Sequence, residues 1–437
     1  MCIRDSPYGV QNPKWYFENT QATLHSERGM PNIPSYESML EMLTEEHAWP
    51  IDDVWGMHDF TGGSAQSGNS FLNYMRNSYG NFDSLEEFVR IAQMVNYENH
   101  KAMFEAVYAN DSNGLLMWMS QSAWPSMVWQ TYDYYYDTNA GYFGIKAANQ
   151  PVNAIINQST DEIVISNATP NDIKGATVSL NIYDTKGNQI HQSSTTLDMD
   201  SDTVQTWKEL PDIAGASSVQ FVRLTITDAQ GEQLASNFTW LNCDMERNYA
   251  ALNNLADVAL TTSKATFTKE GGTCFGSVTV TNESSTPALM IRLKTTNTEG
   301  ERVLPVYYED NYFSLMPGES RTITFEFDEK YLNGSQPAMA VEGWNINPAA
   351  VVCDTLPEDP DNPDDPDDPD VLPGDVDGDG EIASNDALLA LQAATQKIDL
   401  TETQKQAADV DGTPGVSTND ALLILQKATK KIEEFPR

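Results

Sequence analysis

Residues 375–386 and 409–420 are two copies of one acidic loop, set 34 residues apart, and each leads directly into a near-identical apolar run. The first reads Asp375-Val-Asp377-Gly-Asp379-Gly-Glu381-Ile-Ala-Ser384-Asn385-Asp386 and the second Asp409-Val-Asp411-Gly-Thr413-Pro-Gly415-Val-Ser-Thr418-Asn419-Asp420. Calcium is a hard cation that takes six to eight oxygens. A loop with carboxylates at positions 1, 3, 5 and 12, a main-chain carbonyl at position 7 and a glycine at position 6 supplies them. The pattern predicts two Ca²⁺ sites. Asp375, Asp377, Asp379, the Glu381 carbonyl and Asp386 form one; Asp409, Asp411, Thr413, the Gly415 carbonyl and Asp420 form the other. Position 12 is Asp rather than the Glu of an ordinary EF-hand, and no entering helix is expected before either loop. Pro414 stands where the first loop has Gly380. Proline cannot take a positive φ, so the turn is expected to shift to Pro414-Gly415, a type II pattern, and the second site to bind more weakly.

A duplicated half-EF-hand of this kind resembles a dockerin, over about 374–435. The resemblance implies a cohesin domain of a scaffoldin as partner, an exported, extracellular protein, and attachment to a cellulosome. In dockerins positions 10 and 11 of each loop face the cohesin, which nominates Ser384, Asn385, Thr418 and Asn419. The same residues can simply cap the helices that follow, and both roles can hold together.

The chain has 437 residues, enough for two to four domains, with 64 acidic against 25 basic residues and a net charge of −39. That balance argues against nucleic acid or an anionic membrane as partner, since both require basic surface. No run approaches the roughly 18 apolar residues of a membrane span. Cys2, Cys243, Cys274 and Cys353 are widely spaced, form no metal motif and leave disulfide pairing open. Residues 1–6 resemble translated sequencing adapter. The expectation is therefore that the chain is the C-terminal part of a longer protein, with its signal peptide absent for that reason.

From 354 to 372 the chain is Asp, Pro, Glu and Asn for the most part, with prolines at 357, 360, 363, 366 and 369. Proline every third residue matches polyproline II, and the uniform negative charge extends it into a spacer of about 50 Å. Upstream, Val178, Leu180 and Ile182, then Val222, Leu224 and Ile226, then Ile323, Phe325 and Phe327 alternate with polar residues. Short alternating strands separated by turn signals predict two immunoglobulin-like β-sandwiches, at 149–248 and 249–353. Residues 7–148 differ. Ser84-Leu-Glu-Glu87 is a capping box opening a helix to about Tyr108, Gly114 to Met119 is a short apolar strand expected to be buried, and 21–26 is a second candidate strand. Helix alternating with strand argues a parallel α/β unit.

The chemistry is concentrated in His25-Ser-Glu27-Arg28-Gly29-Met-Pro and in Trp118-Met-Ser-Gln-Ser-Ala-Trp124-Pro…Trp129-Gln-Thr-Tyr132-Asp-Tyr-Tyr-Tyr136. A Glu at the end of a strand, followed by Gly and Pro, is a common way to present a carboxylate at the mouth of a (β/α)₈ barrel. Together with the Asp310 to Glu319 segment, these stretches resemble family 2 glycoside hydrolases, nearest to the exo-β-D-glucosaminidase and β-mannosidase-like members, over about 13–350. The resemblance implies a multidomain chain: the C-terminal fragment of a TIM barrel at 7–148, the two sandwiches, the linker, and a small α-helical calcium-binding dockerin at 373–437.

It further implies a retaining β-glycosidase acting on a carbohydrate substrate, with Glu27 as nucleophile. The second carboxyl that such an enzyme needs, about 5–5.5 Å away, lies on a strand absent here, so the chain alone is expected to be inactive. Trp118 either floors the sugar site or packs in the core; Trp124 stands in the following loop and can wall the pocket. Trp55 and His58, in the loop after the Glu27 strand, and Arg28, beside it, are further candidate contacts, each with a structural alternative. Trp129 and Tyr132 to Tyr136 follow helix spacing and are expected to pack. Other family 2 specificities (β-mannosidase, β-galactosidase, β-glucuronidase) and a non-catalytic carbohydrate-binding scaffold component are the competing readings.

Overall fold

The computed structural model describes residues 8–21, 23–61, 68–127, 129–213, 217–242, 247–357 and 371–435. Most of the proline-rich linker, together with Cys2 and Cys243, lies outside them. Two compact units result, the larger made of the chain up to Thr268 and Cys274–Leu356, the smaller of Lys269–Thr273 and the chain from Pro357 on.

The larger unit opens with helix α1 (Pro13–Asn19), strand β1 (Leu24–Arg28), helices α2 (Tyr36–His47), α3 (Asp53–Met57), α4 (Gly68–Tyr79) and α5 (Leu85–Ala109), strand β2 (Gly114–Met117) and helix α6 (Ala140–Ala148). The α5 capping signal is real: the Ser84 side chain accepts from the Glu87 amide, and the Glu87 carboxylate accepts from the Asp83 amide. α5 is buried along most of its surface. Its polar residues act as brackets. Gln93 and Asn96 donate to the Ile33 carbonyl at 3.0 and 2.9 Å, Asn96 accepts from the Ile33 amide, and Gln93 accepts from the Ala140 amide at 2.9 Å. The chain leaving β1 and the start of α6 are thereby fixed to one helix.

β1 and β2 pair in parallel as a two-stranded sheet. Gly114 to Met117 is not the buried strand expected: Leu116 is 59% exposed and Leu24 56%. The faces of a parallel pair are buried by elements packed on them and not by lateral neighbours, and the side that carries Leu24 and Leu116 is left open to solvent. A second correction concerns 129–136, which forms no helix. One carboxylate oxygen of Asp133 accepts from the amides of both Tyr135 and Asp137, a local turn that competes with helix. The helix begins only at Ala140, capped by Asn139. Tyr134 and Tyr136 are accordingly exposed.

Two β-sandwiches follow. The first packs a sheet of β3 (Val152–Asn157), β4 (Glu162–Asn167) and β7 (Thr203–Glu209) against one ordered β6-β5-β8-β9, formed by β5 (Ile173–Tyr183), β6 (Gln189–Met199), β8 (Val219–Thr227) and β9 (Gln233–Asn242). Val178, Leu180, Ile182, Val222, Leu224 and Ile226 point into its separate core. The second contains β10 (Thr261–Thr262), β11 (Thr266–Glu270), β12 (Thr273–Thr281), β13 (Ala288–Asn297), β14 (Tyr307–Tyr308), β15 (Phe313–Leu315), β16 (Ser320–Asp328), β17 (Pro337–Glu342) and β18 (Ala349–Val351). Its sheets run β10-β12-β16-β14, with β11 beside β12, and β15-β13-β17-β18.

The core of this second sandwich is continuous with that of the N-terminal segment. Charge reinforces the join. Arg292 pairs with Glu37, Asp137 and Glu342, and Lys294 with Glu37 and Glu342. Burial works against the Glu37 charge, but Arg292 and Lys294 outweigh it and hold the carboxyl far below the usual range.

The smaller unit contains α7 (Ser384–Ala394), α8 (Glu402–Ala408) and α9 (Thr418–Ala428) around Val376, Ala387, Ala390, Leu400, Ala408, Val410, Ala421 and Ile424. α8 corrects the expectation that no helix enters either loop, for its C-cap is Asp409, the first residue of the second. Its signal was present as Thr401-Glu-Thr-Gln404, whose Thr401 side chain accepts from the Gln404 amide while the Gln404 side chain accepts from the Thr401 amide. Among the described residues, no helix is long and apolar enough to cross a membrane.

Candidate functional site

In the larger unit the site is built at the C-terminal ends of β1 and β2. His25 aligns with Leu115 and Arg28 with Met117, so Ser26 and Glu27 together oppose Leu116. This is a β-bulge, which re-aims side chains. It brings His25 and Arg28 to the same buried side, with Arg28 Nη2 and His25 Nδ1 3.3 Å apart, and leaves Glu27 half-buried. Just beyond, the Trp118 amide donates to the Arg28 carbonyl at 2.8 Å, so Trp118 follows β2 directly alongside Glu27's strand. Its ring is 42% exposed and outside the core. The Trp118–Met119 peptide is cis.

The loops above are tied together. Trp124, 57% exposed, donates its indole N–H to Asp59 Oδ2 at 3.0 Å, while His58 donates Nδ1–H to the Pro125 carbonyl at 2.8 Å and its own carbonyl accepts from the Met127 amide. Asp59 was not foreseen; its positive φ leaves no trace in local sequence spacing. Beneath, Asn32 donates to the Gln130 carbonyl and to Asn139 Oδ1.

Two candidates are corrected. Trp55 is fully buried among Trp49, Phe60 and Phe88 and donates to the His47 carbonyl, so it is core. Arg28 is fully buried too. Its guanidinium bonds Thr20 Oγ1 at 2.8 Å and lies over the Trp15 and Tyr16 rings, away from any surface a sugar can reach. The bulge is the reason, since it turns Arg28 inward.

In the smaller unit, Asp375, Asp377 and Asp386 each offer a carboxylate oxygen, all mutually within 4.8 Å, and Asp409, Asp411 and Asp420 do the same. Such all-oxygen clusters fit a hard cation. The loops are wound around their first and last residues. Asp375 accepts from the Gly378, Asp379 and Gly380 amides; Asp386 accepts from the Val376, Asp377 and Ala383 amides. Asp420 repeats this with Val410, Asp411 and Ser417, and Asp409 accepts from Gly415. Asp379 stands outside the first cluster and accepts from the Glu381 amide. Thr413 is exposed and its amide donates to Asp411 at 2.8 Å, and Gly415 takes a φ of +103° beside Pro414.

Ser384, Asn385, Thr418 and Asn419 are all exposed at the helix starts. Asn385 and Asn419 also donate to Asp377 and Asp411, the latter at 2.7 Å. Beside them Leu388 and Leu391 on α7, and their counterparts Leu422 and Leu425 on α9, are 41–54% exposed. Sequence reasoning overlooked these four, although the i, i+3 spacing within the repeat carries them.

Comparison with known proteins finds similarity in both units. Residues 237–346 match the exo-β-D-glucosaminidase Ig-fold domain, and residues 373–427 the dockerin type I domain. The chain is 27% identical over 390 residues to an exo-β-D-glucosaminidase of Amycolatopsis orientalis, covering 80% of this chain and 38% of that protein. It is 30% identical over 377 residues to one of Streptomyces avermitilis, covering 78% and 41%. The crystal structure of the Amycolatopsis orientalis exo-chitosanase superposes with a TM-score of 0.72 at 27% identity, over 80% of this chain and 45% of that one. A β-D-mannosidase from Dictyoglomus thermophilum, at 17% identity and a TM-score of 0.61, shares the fold.

The chain is thus similar to family 2 glycoside hydrolases over about four fifths of its length and carries a type I dockerin domain. The chain spans about two fifths of the length of the curated relatives it matches.

Proposed function

We propose that this chain supplies the nucleophile end of a retaining β-glycosidase, of exo-β-D-glucosaminidase type, carried on a scaffold through its dockerin. Residues 8–148 are read as the last two strands of a (β/α)₈ barrel with their helices. The observation that carries this is the pairing of β1 with β2, which sets the half-buried Glu27 beside the exposed Trp118 at the C-terminal ends of two parallel strands, the end at which barrel enzymes work.

In this reading Glu27 attacks the anomeric carbon and forms the glycosyl-enzyme. The acid/base carboxyl comes from a strand outside residues 1–437. Trp118 stacks under the ring, and Trp124 and His58 shape the rim. The sandwiches buttress the barrel, because the second shares its core.

The two acidic loops hold Ca²⁺ through Asp375, Asp377, Asp386 and through Asp409, Asp411, Asp420, with Asp379, Thr413 and the Glu381 and Gly415 carbonyls completing them. The bound cation cancels carboxylate repulsion. Ser384, Asn385, Thr418, Asn419 and the exposed leucines then meet a cohesin, placing the enzyme outside the cell. Trapping the glycosyl-enzyme in the whole enzyme with a fluorinated amino-sugar glycoside tests the reading by mass spectrometry. Label on the peptide containing Glu27 supports it, and label elsewhere overturns it.

A further inference from the structure

The second sandwich carries a concave face that the catalytic reading leaves unused. It is a hollow of about 480 Å³ lined by Tyr142, Phe275, Tyr307, Glu309, Thr324 and Glu326, among others. Its layout follows from the sheet. β12 and β16 are neighbours, with Thr279 bonded to Thr322 and Thr281 to Ser320 across the pair. The same register sets Phe275 beside Glu326, and Gly276 opposite Phe325. A Cβ on Gly276 would lie 2.2 Å from the Phe325 ring, in keeping with that register. β14 continues the row, for Tyr307 aligns with Glu326. Phe275, Glu326 and Tyr307 therefore stand side by side on three adjacent strands. Strands lie about 4.8 Å apart, which puts the two aromatic side chains on the order of 10 Å from each other, the scale of a disaccharide.

Both rings are offered to solvent: Tyr307 is 53% exposed and Phe275 39%. Between and beside them stand the exposed carboxylates of Glu326 and Glu309, the latter accepting from Thr324 Oγ1 at 2.9 Å. The cation among the lining residues, Lys146, donates to the Tyr308 carbonyl at 3.1 Å. Aromatic faces favour the C–H faces of pyranose rings and cations alike, and the carboxylates select positive charge.

We infer that this face is an auxiliary binding site for a β-linked oligosaccharide of amino sugars, with protonated ammonium groups at Glu326 and Glu309 and rings over Tyr307 and Phe275. The preference for positive charge follows from this face, the choice of an amino-sugar oligosaccharide rests on the proposed function, and the two are tested by separate measurements.

The test is calorimetric titration of the 437-residue chain with glucosamine hexamer, its N-acetylated analogue and cellohexaose. A Glu27→Gln, Trp118→Ala background is used so that the catalytic end does not report. We expect glucosamine hexamer to bind at least about tenfold more tightly than the two neutral ligands, and the difference to shrink with salt. Tyr307→Ala should lower the affinity about tenfold, Tyr307→Trp should restore it, and Glu326→Gln should lower it without altering the melting temperature. Equal binding of charged and neutral hexamers, or unchanged affinity in both Tyr307→Ala and Glu326→Gln, overturns the inference. Absence of binding overturns it as well, and leaves the separate trapping test of Glu27 in the whole enzyme untouched.

Discussion

Gly29 lies so close to the Trp118 main chain that a Cβ in its place would sit 1.9 Å from the Trp118 carbonyl oxygen. The residue two positions after the candidate nucleophile thus sets how closely the Trp118 loop approaches it. Gly29→Ala must push the two segments apart. Overpacking of this kind costs about 1–3 kcal/mol. The expected result is a lower melting temperature and, in the whole enzyme, loss of activity out of proportion to the loss of stability. A variant with normal activity would show that the approach is not needed.

Glu27→Gln in the whole enzyme should lower kcat by several orders of magnitude with little change in fold, because no covalent intermediate can form. The chain of 437 residues by itself should not turn over aryl β-glycosides. Measurable hydrolysis by the isolated chain would mean that it contains its own acid/base.

Trp118→Ala should reduce kcat/KM in the whole enzyme while leaving the melting temperature nearly unchanged, since the ring is 42% exposed and outside the core. Trp55→Ala should do the reverse. Removing a fully buried tryptophan costs about 3–5 kcal/mol, so that variant should melt early. Kinetics and differential scanning fluorimetry on the two variants separate sugar contact from packing.

Burial in α5 pushes the His100 imidazole down to about 4, partly opposed by its bond to the Asn96 carbonyl. The unfolded chain, with an ordinary value near 6.5, takes up the proton first. The contribution of His100 to stability is therefore complete above about pH 6.5 and is lost as pH falls toward 4, by about 3 kcal/mol in all. Urea unfolding at pH 7 and pH 5 should show a larger acid loss in the wild type than in His100→Gln. Equal losses would count against a buried neutral His100.

Residues 371–437 should gain helix on binding calcium, because about 65 residues make a small core and the clustered carboxylates repel without a cation. Asp375→Ala should impair the transition more than Asp409→Ala, since the second loop has Thr413 and Pro414 where the first has Asp379 and Gly380. Circular dichroism with chelator and calcium checks both statements. Leu388→Ala with Leu422→Ala should weaken cohesin binding and leave the helicity intact.

Local signals in the sequence determined a good deal. The repeated acidic loops, the strand alternation at 178–182 and 222–226 and the Ser84 capping box rest on interactions within a few residues, and the matching loops, buried strand faces and helix start appear in the structure. The position of Glu27 near the end of a strand was legible for the same reason. Tertiary structure alone decided which neighbours of Glu27 face it. The bulge opposite Leu116 depends on pairing with a strand some ninety residues away, and it turns Arg28 inward. Trp55 became core because Trp49, Phe60 and Phe88 close around it. The face formed by Phe275, Glu326 and Tyr307 depends on the register of three strands distant in sequence. Composition and periodicity report what a segment can bury; only the pairing of distant strands determines what it is buried against.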